Sequence, residues 1–208
     1  MLVLSQIIVG VTDLDAAAAR FEALGFEVLD GGVHPGVGTA NRVIPLGAQY
    51  IELLGVVNAQ ETQEHEYGRS LLRATADGDR LVRWSLRTDA IAEVAARLEI
   101  AVESRSRARP DGELLTWRAA GLDLALADAT LPFFMEWDHA EQYPGVMPAT
   151  HPNGAHRVTA LSVTPRDADR FRTWTAGADV PLHIATAKKP GLWSVTVETD
   201  GGEIVISR

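Results

Sequence analysis

The chain of 208 residues contains no cysteine. Disulfide bridges, thiolate metal centres, iron–sulfur clusters and cysteine nucleophiles are therefore excluded. Lysine is nearly absent: of 19 basic residues only Lys188 and Lys189 are not arginine, which leaves few candidates for a Schiff-base amine. An excess of positive charge is lacking too, since 28 Asp and Glu give a formal net charge of -9. An acidic chain has no general attraction to nucleic acid or to an anionic membrane. No apolar run approaches the ~20 residues that span a bilayer. The opening MLVLSQIIVGVTD is apolar but carries neither a basic leader nor a small-residue cleavage site, so it reads as a first buried strand and a cytoplasmic location is expected. What remains is 46% hydrophobic and 23% charged, a mixture that folds and is long enough to bury a core.

The pattern along the chain is repetitive. Residues 3–11 form a β-rich apolar run, and TDLDAAAARFEALG reads as a helix capped by Thr12 or Asp13, with Phe21 and Leu24 on one face and Gly25 as its stop. A short strand is predicted at Phe26–Leu29, a Gly-rich loop at 30–41, and strands at Arg42–Leu46 and Tyr50–Val56. The order recurs: a strand at Leu81–Arg87, a helix over 88–99, a strand at Ala101–Ser104, and a hairpin of Glu113–Arg118 with Leu122–Ala127. GVTDLDAAAARFEAL (10–24) matches LRTDAIAEVAARLEI (86–100), and AQYIELLGV (48–56) matches AGLDLALAD (120–128). A weaker third copy begins near His156, with VTALSVTP, a short helix over 166–177 and a final hairpin. The expected organisation is α+β: one domain over 1–130 made of two βαβββ modules (1–57 and 81–128), then a wrapping segment and partial third module over 131–208 in the same globule. The polar linker 61–79 is expected to include a short helix.

Glu52 stands in YIELL, where alternation places it on one face with Tyr50 and Leu54. A buried carboxylate needs a partner or takes up a proton, so Glu52 reads either as a general base or ligand anchor, or as a core carboxylate bonded to Gln6, Tyr50 or a backbone amide. The same alternation groups Gln6 with Leu4 and Ile8. His34 and Asn41 bracket HPGVGTAN in the Gly-rich loop, where Gly32, Gly36 and Gly38 allow tight turns and close approach to a ligand. This is neither a Walker loop nor a dinucleotide fingerprint. His34 reads as the more catalytic of the pair and Asn41 as the more structural. Arg109 precedes a Pro-Asp-Gly turn and offers a partner for an anionic substrate. Trp84 either lines a pocket or fills the core, and His151 of HPNG stands where it would close a cleft from above. No G-x-S-x-G elbow and no H-E-x-x-H pair occurs.

HPGVGTANRVIPLGAQYIELLGV (34–56), with the helix and strand VTDLDAAAARFEALGFEV before it, resembles the glyoxalase-like branch of the vicinal oxygen chelate superfamily. RPDG with Trp117, LPFFMEW (131–137) and HPNG (151–154) are similar to that branch as well. The resemblance implies paired βαβββ modules whose curved mixed sheets enclose a cleft. It also implies metal ligands on the first and last strands of each module. The matching positions here are Gln6, Glu52, Val82 and Leu124, and the last two offer no ligand. No metal and no other cofactor is therefore expected.

The function expected is binding of a small oxygenated or anionic organic molecule in the cleft, with metal-independent lyase, isomerase or hydrolase chemistry. Glu52 and His34 would be the acid–base pair, and Gln6, Asn41, Arg109, Trp84 and His151 the substrate contacts. Two alternatives stand beside it: a metal enzyme with a displaced site using Glu52 and His34, and a non-catalytic ligand-binding module. A small-molecule ligand is the expected partner, with neither nucleic acid nor membrane, and the reading leaves room for a homodimer.

Overall fold

The computed structural model describes residues 1–108 and 112–207. The first module runs β1 (Leu2–Val11), α1 (Leu14–Ala23), β2 (Leu29–His34), β3 (Thr39–Leu46) and β4 (Gln49–Val56). Asp13 caps α1, its carboxylate accepting from the Ala16 amide at 2.9 Å. Ala17 and Phe21 form the buried face of this helix, while Leu24, expected beside Phe21, is its exposed C-cap. The second strand starts later than the sequence suggests. Most of the expected Gly-rich loop is in fact β2 hairpinned onto β3, so His34 and Asn41 sit on paired strands. The pairing skips Gly31, a bulge between Asp30 and Gly32. A Cβ at Gly31 would collide with the Asn41 side chain, so the glycine is there for close approach.

The linker folds into α2 (Ala59–Glu64) and α3 (Glu66–Thr75). The second module follows as β5 (Arg80–Arg87), α4 (Ile91–Leu98), β6 (Val102–Ala108), β7 (Leu114–Ala120), α5 (Leu122–Ala127) and β8 (Phe133–Trp137). One expected strand is thus a helix. Gly121 turns the chain at φ 74, and LDLALA has strong helix formers and no β-branched residue. The closing strand is FFMEW, rich in aromatics, which lies in the segment expected to wrap. The second module therefore ends at 137, not at 128, and a boundary at 130 would cut through it.

The two modules share one curled sheet in the order β2-β3-β4-β1-β5-β8-β7-β6. At its centre β1 runs parallel to β4 and antiparallel to β5. The two edge strands return toward each other, and the Arg107 guanidinium on β6 donates to the Gly31 carbonyl on β2 at 2.7 Å. A register shift between Leu4 and Gln6 changes which residues face in. Leu2, Leu4, Ile7 and Val9 join the convex core, whereas Ile8 joins the concave cluster and Gln6 lines the concave cavity. Gln6 therefore groups with Ile8 but not with Leu4. Ile51 and Leu53 likewise pack outward, leaving Tyr50, Glu52 and Leu54 on the concave side.

The chain ends as β9 (Arg157–Thr164), α6 (Ala168–Trp174), β10 (Ala178–Asp179), β11 (Leu182–Ile184), β12 (Gly191–Thr199) and β13 (Gly202–Ser207). Leaving out the two-residue β10, which pairs with β1, the element order is that of a module but the pairing is not. In the first module the opening strand lies beside the fourth; here β9 lies between β11 and β12. The third copy is thus a separate four-stranded sheet. Its Leu161, Val163, Val195 and Val197 share one apolar core with Leu4, Ile7, Phe21 and Trp84 on the convex side. Among the described residues no helix is long and apolar enough to cross a membrane.

Candidate functional site

The concave side of the curled sheet holds a cavity of about 560 Å³. Its polar floor comes from the first module. Glu52 on β4 is 3% exposed. One of its oxygens accepts from the Asn41 amide at 2.6 Å and the other from the Gln6 amide. A carboxylate can only accept here, so both amides turn their NH2 groups to it and their oxygens away. Those two amide oxygens are buried without a partner. Burial raises the Glu52 pKa, while the hydrogen bond from Asn41, the charges of Arg107 and Arg83, and the bond from Gln6 pull it back.

His34 also lines the cavity, and its Nδ1 lies 2.9 Å from the Thr39 hydroxyl. Burial, assisted by the Arg107 charge, lowers its pKa to about 4, so the imidazole is neutral at pH 7. Arg107 is 9% exposed and lines the same cavity. Alternation along SRSRA could have found it: Arg105 and Arg107 share one face of β6, and both line the cavity. Arg109, the arginine singled out in the sequence, lies outside the described residues.

The second module supplies an apolar wall. Phe133, Met135 and Trp137 of β8 face the cavity, with Trp117 stacked 5.2 Å from Trp137. Behind this wall Tyr143 is fully buried, its ring 6.0 Å from that of Trp137, its hydroxyl donating to the Ala48 carbonyl at 2.8 Å, and Arg87 lies 4.3 Å from its ring centre. Tyr67, on the first turn of α3, also lines the cavity, so the polar linker contributes a site residue that sequence reading missed.

Two expected contacts lie elsewhere. Trp84 is fully buried in the convex core, packed on Phe171, with its indole donating to the Thr130 carbonyl at 3.1 Å. Its size and its carbonyl partner explain the core placement. His151 is a strut: Nδ1 accepts from the Glu27 amide at 2.9 Å, Nε2 donates to the Pro45 carbonyl at 2.6 Å, and the ring packs on Phe26. With both nitrogens committed it pins the 151–154 turn to the first module and does not line the cavity. The structure thus gathers Gln6, His34, Asn41 and Glu52 around one cavity and leaves Trp84 and His151 outside it.

The metal expected of the wider superfamily is poorly matched by these side chains. Leu124 lies on α5 rather than on the closing strand, whose cavity-facing residues Phe133, Met135 and Trp137 supply no His or carboxylate. Both Glu52 oxygens already accept hydrogen bonds. Among the described residues no three His, Asp or Glu are grouped to hold one ion.

A family model described as "Glyoxalase-like domain" matches residues 6–178. No curated protein matches the sequence. A hypothetical protein from Staphylococcus aureus superposes with a TM-score of 0.74 at 16% identity, over 96% of this chain and 92% of that one. A xylose isomerase-like TIM barrel/4-hydroxyphenylpyruvate dioxygenase fusion protein superposes with a TM-score of 0.53 at 13% identity, over 95% of this chain but 36% of that one. At these identities the likeness is one of fold. Two modules on one curled sheet and a model match over most of its length make this chain a member of the glyoxalase-like domain family of the vicinal oxygen chelate superfamily.

Proposed function

We propose that the cavity binds a small oxygenated organic anion and moves a proton on it through Glu52, as an isomerase or lyase that uses no metal. The observation that carries this reading is the Glu52 carboxylate, buried at the cavity floor and held by two amides that cannot change its charge. A base of that kind is oriented and poorly solvated, and burial raises its pKa above the ordinary carboxylate value. In the step, a C–H bond beside a carbonyl breaks and its proton passes to a Glu52 oxygen. The electron pair moves onto the carbonyl oxygen, and the proton then returns to carbon or a leaving group departs. Arg107 steadies the developing oxyanion, and neutral His34 serves as a hydrogen-bonding neighbour. Aromatic and aliphatic side chains of the second module exclude water. A cytoplasmic location belongs to the same proposal.

The test is deuterium exchange at carbon, followed by NMR in D2O, over a set of small 2-oxo and 2-hydroxy acids. The wild type is expected to exchange at least one member of the set, and Glu52→Gln to lower that rate at least ~100-fold while still binding the acid. Binding with no exchange in the wild type would favour a non-catalytic ligand module.

A further inference from the structure

Glu52, Ile8 and Arg83 form one row across β4, β1 and β5, since Ile8 pairs with both. Directly paired residues share a face, so Arg83 points to the concave side, two strands from Glu52. Its surroundings are unusual for a cation. It is 2% exposed and no carboxylate of the described residues is paired with it. Tyr67 covers the face of its guanidinium at 4.3 Å, and Nη1 makes a long bond to the Ser70 hydroxyl at 3.3 Å. Nε and Nη2, both buried, have no partner.

These two nitrogens form the side edge of the guanidinium, the pair of parallel donors that takes a planar carboxylate in bidentate fashion. Two residues along the same strand the Ser85 hydroxyl is also buried without a partner, opposite Gln6. The Glu52 carboxylate feels the Arg83 charge but makes no hydrogen bond with it, and Tyr67 and Ser70 cover the face and Nη1, so the side edge is left for a second anion.

We infer that the edge of Arg83, with Ser85 two residues along the same strand, is a carboxylate subsite behind the Tyr67 wall of the cavity, and that the ligand is a small carboxylic acid. The inference deepens the proposed function by naming the substrate class, and it rests on that reading only in placing the reacting carbon beside Glu52. The guanidinium lies one side chain below the cavity wall, under Tyr67. An acid that enters edge-on keeps the Tyr67 stack. The roof belongs to the first turn of α3, which the His65 side chain caps at 3.2 Å. The carboxylate end of the ligand is thereby set in the second module and the reacting end in the first.

The experiment uses the full chain with acetate, pyruvate and lactate, the methyl esters of the same acids, and inorganic phosphate. Binding is read by calorimetry and by the ¹⁵N–¹H signal of the Arg83 Nε, assigned by its loss in Arg83→Met. The expected result is a shift of that signal with each acid and none with the esters, and an affinity for pyruvate at least ~30-fold lower in Arg83→Met. Phosphate, which is not planar, is expected to bind more weakly than acetate. Arg83→Met without ligand is expected to melt at a higher temperature than the wild type, because it removes a buried charge that has no hydrogen-bonded counter-ion and keeps the alkyl stem. Ser85→Ala is expected to fold normally and to weaken pyruvate by a smaller factor. Equal binding of acid and ester, failure of every acid to move the Arg83 signal, or a lower melting temperature for Arg83→Met would each overturn the inference. Two variants separate the proposals: acid binding that persists in Glu52→Gln whatever becomes of exchange leaves the subsite standing, and exchange that is lost in Glu52→Gln while acid affinity is unchanged in Arg83→Met leaves only the base.

Discussion

The two modules share one strand order and divide the work unequally. The first presents a carboxylate, two amides and an imidazole to the cavity; the second presents Phe133, Met135, Trp117 and Trp137. The cations also come from the second: Arg105 and Arg107 line the cavity from its far edge, and Arg83 lies behind Tyr67 beside the centre. A repeat therefore need not repeat chemistry. One copy holds a charge that is costly to bury, and the other supplies the dry wall and the positive field that keep that charge oriented and reactive.

The largest effect expected from disturbing this division is on stability, from the second module. Phe133 is 6% exposed, and Phe133→Ala should cost ~3–5 kcal/mol in urea unfolding through lost burial and a new void. Glu52→Gln should do the opposite, with turnover down at least ~100-fold and stability unchanged or higher. The pH dependence gives this its sign. Burial raises the Glu52 pKa in the folded state, so the native form holds that proton more tightly than the unfolded chain. Stability present at low pH is then lost as pH climbs from the unfolded value of 4.5 through the folded one. Glu52→Gln should flatten that decline in melting temperature measured against pH, and an unchanged slope would show that the carboxylate is not desolvated.

Gly31→Ala comes next, at ~1–3 kcal/mol, because the new methyl forces the Asn41 side chain off Glu52. If Asn41 orients the base, activity should fall further than stability does. The smallest effect concerns His34. Its pKa falls to about 4 on folding, so the unfolded chain binds that proton more tightly, and stability is lost as pH drops from 6.5 toward 4. After allowance for partial exposure the loss is ~1–2 kcal/mol, and His34→Gln should remove it from the acid limb of the same melting curve.

Much of the first module was legible because its elements carry local signals: an Asp cap, a Gly stop, and alternation that sends Ile51 and Leu53 one way and Glu52 the other. The meeting of Gln6 with Glu52 followed from that alternation, although the shift after Leu4 put Leu4 itself on the other face. What stayed hidden depends on partners distant in sequence. LDLALA is apolar enough for a strand, and only the glycine before it and the aromatic strand after it decide for a helix. Arg107 gains its place from Gly31, 76 positions away, and His151 gains its role from Glu27 and Pro45. No local pattern distinguishes such a strut from a ligand contact. Trp84 sits one residue from Arg83 on the same strand, and its indole proton is taken by a carbonyl 46 positions away.

The central position of β1 has a consequence for how the protein comes into being. Its neighbours are β4 and β5, and its convex side chains pack with Val195 and Val197 of β12. β1 therefore leaves the ribosome before every strand that pairs with it or covers it. Ile7 and Val9 stay uncovered until β12 has been made, and pairing over such long separations is slow. The expected hazard is aggregation of the nascent chain through an unprotected β1 edge, with slower growth temperature or a holding chaperone improving the yield of soluble protein more than it would for a chain of local contacts.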